Sequence, residues 1–526
     1  MQETQIRLAS LAKTATIDEE IVVGKDVLEL VAGAMYADPL TVYREYIQNA
    51  ADAIDEARAG GTQLSCSDPH VLISLDHSER TVRIRDIGAG VRNADFVRRL
   101  TAVGASGKRG TTQRGFRGVG RLSGLGYCQE LVFRSRSKGD SKIKELCWDG
   151  RGLREHLRDP KFTGSLADLI RTIAKVTTLT DDGTFPAHFF EVEMRKVVRI
   201  KNDLLMNEGE IRAYLAQVAP VPFDPKFKFG DEIRKHLREV GLSEPINIEL
   251  NDDQGVIYHR ATNQVQTGKN ATVSFTGVQF HRLVNSGGDL LACGWMLEHG
   301  YVGAMPRGSG QGGLRLRTRD VQIGDAHILA PLFVEQRFSS WSVGEFHVLH
   351  PKIVPNGRRD EFEHSAAYTE LQDELRRLTG ELAQTIRSRS DERQRSKRLA
   401  LAIAYAENWL DIAQRKTLHE TIRRAAVEQA ITHAKAVEKY CAKMTPSAAS
   451  LRAAEQIRAN IKRLADNFEK RKRDAAKSAG ASRRGTTRSA LAAVNAILSS
   501  TIHSQKAIPM AERVLAAMEG RLKEKA

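Results

Sequence analysis

Glu45, Asn49 and Asp52 fall at i, i+4 and i+7 in the segment Tyr43-Arg44-Glu45-Tyr46-Ile47-Gln48-Asn49-Ala50-Ala51-Asp52-Ala53. On a helix that spacing gathers them on one face. Taken alone, such a face is more often a helix's solvent side. Further along stands Asp86-Ile87-Gly88-Ala89-Gly90. A carboxylate at a strand end, followed by two glycines, suits a buried acceptor beside a tight turn. It can accept a hydrogen bond from an exocyclic amine such as that of adenine. An ordinary strand-ending turn has the same pattern.

The third piece is Gly104-Ala105-Ser106-Gly107-Lys108, followed by Gly115-Phe116-Arg117-Gly118-Val119-Gly120. Glycines at this density let backbone amides approach phosphate oxygens, and a following helix adds its N-terminal dipole. The stretch is not a P-loop, because Lys108 is followed by Arg109 and position 102 is alanine. The fourth piece is Gly183-Thr184, ahead of a β-like run.

These residues need particular elements to hold them. Asp38-Pro39 predicts a helix start, with the helix running to about Arg58 and stopped by Gly60-Gly61. His70–Asp76 and Thr81–Asp86 alternate as strands joined through Asp76-His77-Ser78-Glu79. Glu130–Arg136 and Ala187–Met194 read as further strands, so this part is an α+β sandwich. A second unit begins near Asn207, with helices at Glu208–Ala219 and Asp231–Val240. Its strands are expected at Ile246–Leu250, Val256–Arg260, Gly294–Glu298 and Leu314–Ile323. Gly303–Gly313, rich in glycine and carrying Arg307, could touch a ligand but reads better as a flexible hairpin loop. Beyond Glu363 the pattern is helical, with Leu399–Tyr440 unbroken by glycine or proline and a second helix over Ala448–Lys477. The resulting division is 1–205, 206–384 and 385–526.

In order and spacing, the four pieces closely resemble the GHKL superfamily of gyrase, ninety-kilodalton heat-shock chaperones, histidine kinases and MutL, with the chaperones nearest. The resemblance covers roughly residues 20–200 and implies a GHKL (Bergerat) sandwich binding ATP with Mg²⁺. Under it, Asn49 would ligate Mg²⁺ and Glu45 would orient and deprotonate the attacking water. Asp86 would read adenine with support from Thr184, and Gly90 would line the adenine pocket. Asp52 would stand among the nucleotide contacts. Gly118 and Gly120 would lend backbone donors to the phosphates, and Ser106 and Lys108 would lie in a lid. Glu45 favours an ATPase, since histidine kinases lack a base there. One departure is Arg99, where the chaperones carry an asparagine.

The second unit resembles the chaperone α+β middle domain through Val354-Pro355-Asn356-Gly357-Arg358-Arg359-Asp360. Arg359, with Arg358 as the alternative, matches the basic residue that reaches the γ-phosphate and would act beside Glu45 in catalysis. A basic surface turn has the same composition. Glu363 stands where the chaperones have glutamine.

The chain has 526 residues and a net charge of +15. Residues 385–526 hold about 30 Lys and Arg against about 14 Asp and Glu, roughly +16, so the remainder is near neutral. That basic helical region suits an acidic partner or a solvated face equally. No run of apolar residues is long enough for a membrane helix. Five scattered cysteines without a CxxC pair fit a reducing cytoplasm. The expectation is a cytoplasmic, homodimeric, ATP-driven clamp of the chaperone type acting on protein clients. The alternative is a MORC- or MutL-like clamp that binds nucleic acid through the basic region, within a bacterial defence or repair complex.

Overall fold

The computed structural model describes residues 38–523, apart from 63, 65–68, 104–113, 115–119, 182, 252–253, 269–270, 479–491 and 498–506. The chain is α+β with a helical C-terminal region and divides into two compact units, Met1–Ala383 and Gln384–Ala526.

The first unit opens with helix α1 (Thr41–Ala59). It begins two residues later than Asp38-Pro39 suggests. Asp38 instead closes a turn ahead of it, accepting from the Leu40 amide through Oδ1 at 3.1 Å. Strands β1 (Val71–Asp76) and β2 (Thr81–Asp86) form the expected hairpin. Its turn is tied by Asp76 Oδ1, which accepts from Ser78 Oγ at 2.6 Å and the Glu79 amide at 2.9 Å. After α2 (Phe96–Thr101) come β3 (Glu130–Arg136), β4 (Ile143–Asp149), α3 (Gly150–Arg158), α4 (Leu166–Ile173), β5 (Ala174–Leu179) and β6 (Phe189–Arg195). Helix α5 (Glu208–Val218), helix α6 (Gly230–Glu239) and strand β7 (Ile248–Leu250) follow.

These strands make a seven-stranded sheet in the order β5-β4-β3-β6-β2-β1-β7. Neighbours are antiparallel except β7, which pairs parallel with β1. The sheet is therefore completed by a strand from beyond residue 206. Tyr43, Ile47 and Ile54 of α1 share one hydrophobic core with Ile73, Ile84, Phe133 and Trp148 of the strands, and with Ile211 and Leu215 of α5. The burial of those large side chains, each contributing about 1.5–3 kcal/mol, clamps α1 to the sheet.

A second sheet has the order β10-β11-β14-β12-β13, from β10 (Gly277–Val284), β11 (Leu290–Glu298), β12 (Gly313–Thr318), β13 (Val321–Ile323) and β14 (Val343–Val348). A separate hairpin pairs β8 (Gln264–Gly268) with β9 (Ala271–Ser274). The run expected as one strand over Leu314–Ile323 is the β12–β13 hairpin, turned at Arg319 and Asp320, both with left-handed backbones. Val256–Arg260 is no strand. It makes a single bridge from Val256 to Glu249.

Helix α7 (Ala366–Gln414) is followed by α8 (Glu420–Cys441) and α9 (Ala448–Ser478). The helix expected to run unbroken from Leu399 to Tyr440 stops at Gln414. His419 caps α8 by accepting from the Thr421 amide, and Arg423 Nε donates to the Ala413 carbonyl at the end of α7. Both new ends are thus satisfied without glycine or proline. The second unit's core gathers Trp409, Leu410, Ala426, Ala430 and Phe468. Lys470–Arg473 is exposed on α9, while Arg483, Arg484 and Arg488 lie outside the described residues.

Charge is buried at the centre of the first sheet. Arg134 on β3 lies 2.7 Å from Glu145, 2.7 Å from Glu191 and 2.6 Å from Glu193. Replacing it leaves carboxylates without a central cation, which costs about 3–5 kcal/mol in such settings. Arg134→Leu is expected to lower the urea-unfolding free energy by about that amount at neutral pH. Arg377→Ala, which removes an exposed pair on α7 with Glu381, is expected to change it by less than about 1 kcal/mol.

Candidate functional site

Helix α1 is buried on both sides. Its apolar stripe faces the sheet, yet Arg44, Glu45, Gln48 and Asp52 are buried too, and Asn49 is half-buried. The polar face is therefore no solvent side. It is covered by side chains from distant segments, which explains why alanine and polar residues coexist on it.

Glu45 is held by two cations. Its Oε1 lies 3.3 Å from Arg359 Nε and 3.5 Å from Arg44 Nη2. Neither approach is an aligned hydrogen bond, so Oε1 keeps unused acceptor capacity while buried. Its other oxygen, Oε2, sits over Gly120, where a Cβ would approach to 2.2 Å. A glycine is the only residue that lets backbone and carboxylate meet so closely. Gln48 adds a buried amide whose oxygen and nitrogen lack hydrogen-bond partners.

Arg359 reaches this point from a strained turn. Its backbone is left-handed, with φ 58°, a conformation costing a non-glycine residue about 1–2 kcal/mol. Its amide donates to the Asn356 carbonyl, and its own carbonyl accepts from the Gly324 amide at 2.8 Å. Nη2 also donates to the Arg114 carbonyl at 3.2 Å. The Arg358 side chain is exposed, and only its carbonyl joins the cluster, accepting from Arg44 Nη2 at 3.2 Å.

Asp52 fixes the other end of the face. Its Oδ1 accepts from the Arg114 amide at 2.7 Å, and Arg114 Nη1 pairs with Asp55 at 2.7 Å. Arg114 Nε donates to the Arg319 carbonyl in the β12–β13 turn at 2.9 Å. Sequence patterns single out neither Arg114 nor Gln48. The only signal for Arg114 is its position just before the second glycine cluster.

Asp86 ends β2 and is buried. Its carboxyl accepts from the amides of Gly88, at 2.9 Å, and Phe190. Burial outweighs those bonds and pushes it up to about 7. The loop after it is pressed against α1 and the sheet. The Ala89 amide donates to Ala53, and a Cβ on Gly88 would come within 2.6 Å of the Ala53 carbonyl carbon. Gly90 has φ +67°, and a Cβ there would lie 2.3 Å from the Arg136 carbonyl oxygen. Both glycines are required by close approach.

Thr184 is exposed in the turn ahead of β6. Arg136 anchors that turn on Asp181 and on the Phe185 and Pro186 carbonyls. Ser106, Lys108 and Gly118 lie outside the described residues. Arg99 is exposed on α2 and contributes positive charge to Arg121, whose guanidinium is pushed down to about 10, chiefly by burial. The structure thus brings together Glu45, Asn49, Asp52, Gly120 and Arg359, and sets Asp86 and Gly90 on the loop against the other end of α1.

Among the described residues no three His, Cys, Asp or Glu side chains form a metal cluster, and no helix is long and apolar enough to cross a membrane. Unmet buried oxygens on Glu45 and Gln48, beside the half-buried amide of Asn49, form a hard-oxygen set. Such a set fits Mg²⁺ carried with a phosphate chain better than a softer ion.

Residues 38–156 match the family described as histidine kinase-, DNA gyrase B- and HSP90-like ATPase. The chaperone protein HtpG of Methylorubrum extorquens (strain PA1) is 32% identical over 146 residues, 24% of this chain and 23% of that protein. HtpG of Rickettsia prowazekii (strain Madrid E) is 26% identical over 201 residues, 34% of this chain and 30% of that one. HtpG of Natranaerobius thermophilus is 24% identical over 278 residues, 45% of this chain and 44% of that one. The chain therefore spans less than half the length of these relatives. Helix α1, its glycine-backed carboxylate and the Asp86 loop lie within the residues that match the histidine kinase-, DNA gyrase B- and HSP90-like ATPase family.

Proposed function

We propose that this chain binds ATP with Mg²⁺ and hydrolyses it to ADP and phosphate, as the motor of a cytoplasmic, dimeric clamp acting on protein clients. The observation that carries the reading is the meeting of Glu45, Gly120 and Arg359 at one buried point. The relatives' name, chaperone, supports protein clients as the substrate class. In this reading residues 1–205 are the ATP-binding domain, 206–384 the middle domain and 385–526 a basic helical region for subunit or partner contacts.

Each residue has a task that its surroundings allow. The Asp86 carboxyl accepts the adenine amine, with Gly90 keeping the pocket floor at backbone height and Thr184 supporting the contact. Asn49 holds the phosphate end, where Mg²⁺ on it would supply charge neutralisation, and Asp52, at the far end of the face, stands among the nucleotide contacts. Gly118 and Gly120 lend backbone donors to the phosphates, and Ser106 and Lys108 belong to the lid. Glu45 takes a proton from water. Its unused Oε1 capacity suits that role, but two cations first have to loosen their hold on it. An arriving γ-phosphate competes for Arg359, and so frees the carboxylate while gaining a cation for its own developing charge.

Three variants test this assignment. Glu45→Ala is expected to bind ATP normally and to release phosphate at least about a hundredfold more slowly. Arg359→Ala is expected to lose about 10³-fold in turnover with affinity nearly unchanged, while Arg358→Ala stays near wild type. Nucleotide titration and phosphate release measure all three. Normal turnover in Glu45→Ala removes it as the base, and a defect confined to Arg358→Ala moves the arginine by one position.

Asp86 gives a pH signature. Its folded value, about 7, lies above the unfolded carboxylate range. Its contribution to stability is therefore complete below about pH 4 and declines as pH rises towards 7. An amine donor favours the ionised carboxyl, so adenosine binding should release a proton between those limits and tighten as pH rises to about 7. Calorimetric titration with adenosine at pH 6, in two buffers of different ionisation enthalpy, reads the proton directly. Zero proton release would remove Asp86 from the adenine contact.

A further inference from the structure

A second cleft lies away from α1, at the side of the second sheet. It is a shallow cleft open to solvent, between the end of α5, the segment at His259–Ala261, the Gly310–Gln311 loop and strands β11, β12 and β14. The glycine-rich loop that reads as a plain hairpin in sequence forms one wall.

The charges lining the cleft do not cancel. Its carboxylate, Glu345, is already engaged, 2.8 Å from Arg317 Nη2 and 3.0 Å from His259 Nε2. Arg315, 5% exposed, donates only to the carbonyls of Gln311 and Gly310. Arg260 lines the same cleft and has neither a hydrogen bond nor an ion pair among the described residues. Its guanidinium rests on Gly310, where φ is +62° and a Cβ would fall 1.8 Å from Nη1. The glycine makes room for the cation. Gln311, also lining the cleft, donates to Thr262 through Nε2 at 2.7 Å and leaves a buried Oε1 without a donor. Burial pushes Arg315 down to about 10; the charge of Glu345 opposes that shift, and those of Arg317 and Arg260 add to it. Glu345 and Glu210 act on Arg315 and Arg260 only at longer range, so two guanidinium groups face one cleft without a close ion pair among the described residues, beside an acceptor that suits a protonated oxygen.

We infer that this cleft is an oxyanion site, taking a phosphate group on Arg260 and Arg315 with Gln311 accepting from its hydroxyl. Planar guanidinium forks match phosphate oxygens, and charge-assisted bonds are the strong kind. The phosphate is either the free ion or the end group of a larger molecule. The site is separate from the Glu45 cluster and does not depend on ATP binding there.

The test is calorimetric titration of the full chain with inorganic phosphate and, in parallel, methyl phosphate. Ionic strength is held constant with chloride, and a hydrolysis-resistant ATP analogue is present at saturation. Saturable binding is expected, weakened about tenfold or more in Arg260→Gln and in Arg315→Gln. Tighter binding of the ester assigns the group to a larger molecule, and tighter binding of the free ion assigns it to phosphate itself. Arg260→Gln guards against a folding artefact. Because Arg260 makes no hydrogen bond or ion pair among the described residues, and burial outweighs the charge of Glu210 on it, its neutralisation should leave the unfolding temperature without phosphate unchanged or raised. Absence of saturable binding, or unchanged affinity in Arg260→Gln, overturns the site.

Discussion

A carboxylate buried as deeply as Glu45 needs cations beside it, because an isolated buried charge is far costlier than a paired one. Arg44 comes from the neighbouring position on the same helix, and Arg359 comes from more than three hundred residues away. That long-range pair determines much of the first unit. It requires the turn at Asn356–Asp360 to be delivered to α1, and it requires Arg359 to adopt a left-handed backbone there. It is also fitted to glycine at position 120, since a larger residue there would displace Oε2 from its present place. Strain and close approach held in place by surrounding contacts are features that cluster at working sites.

The same logic extends along the polar face. Arg114 ties Asp52 and Asp55 on α1 to the Arg319 carbonyl in the β12–β13 turn. Arg317, two residues earlier, joins Glu345 and the Gln217 carbonyl. Arginine forks thus connect the helix carrying Glu45 to the second sheet by hydrogen bonds rather than by apolar packing alone. Such contacts are directional, so a change in what Glu45 or Arg359 binds alters geometry in both layers.

Much of the site was legible in sequence because its chemistry is local. The i, i+4, i+7 spacing of Glu45, Asn49 and Asp52 sits on one helix, and Asp86-x-Gly-x-Gly marks a turn whose glycines both prove to be required by contact. The hairpin at Asp76 was legible for the same reason. What sequence patterns missed is non-local. Burial of the polar face, the roles of Arg114 and Gln48, and the strand β7 that closes the first sheet all depend on partners far along the chain. The break between α7 and α8 escaped because His419 and Arg423 cap the helix ends in place of glycine or proline. The Gly303–Gly313 loop read as a plain hairpin because Arg260, the cation resting on Gly310, is fifty residues earlier.

In the proposed reaction Glu45 and Arg359 act at one place on one step. A double-variant cycle tests this directly, with phosphate release measured at saturating ATP for Glu45→Gln, Arg359→Ala and the two combined. Residues that serve the same step are non-additive, so the combined variant should be scarcely slower than the slower single variant. Losses that multiply in full would show that the two side chains act independently, and would contradict the account.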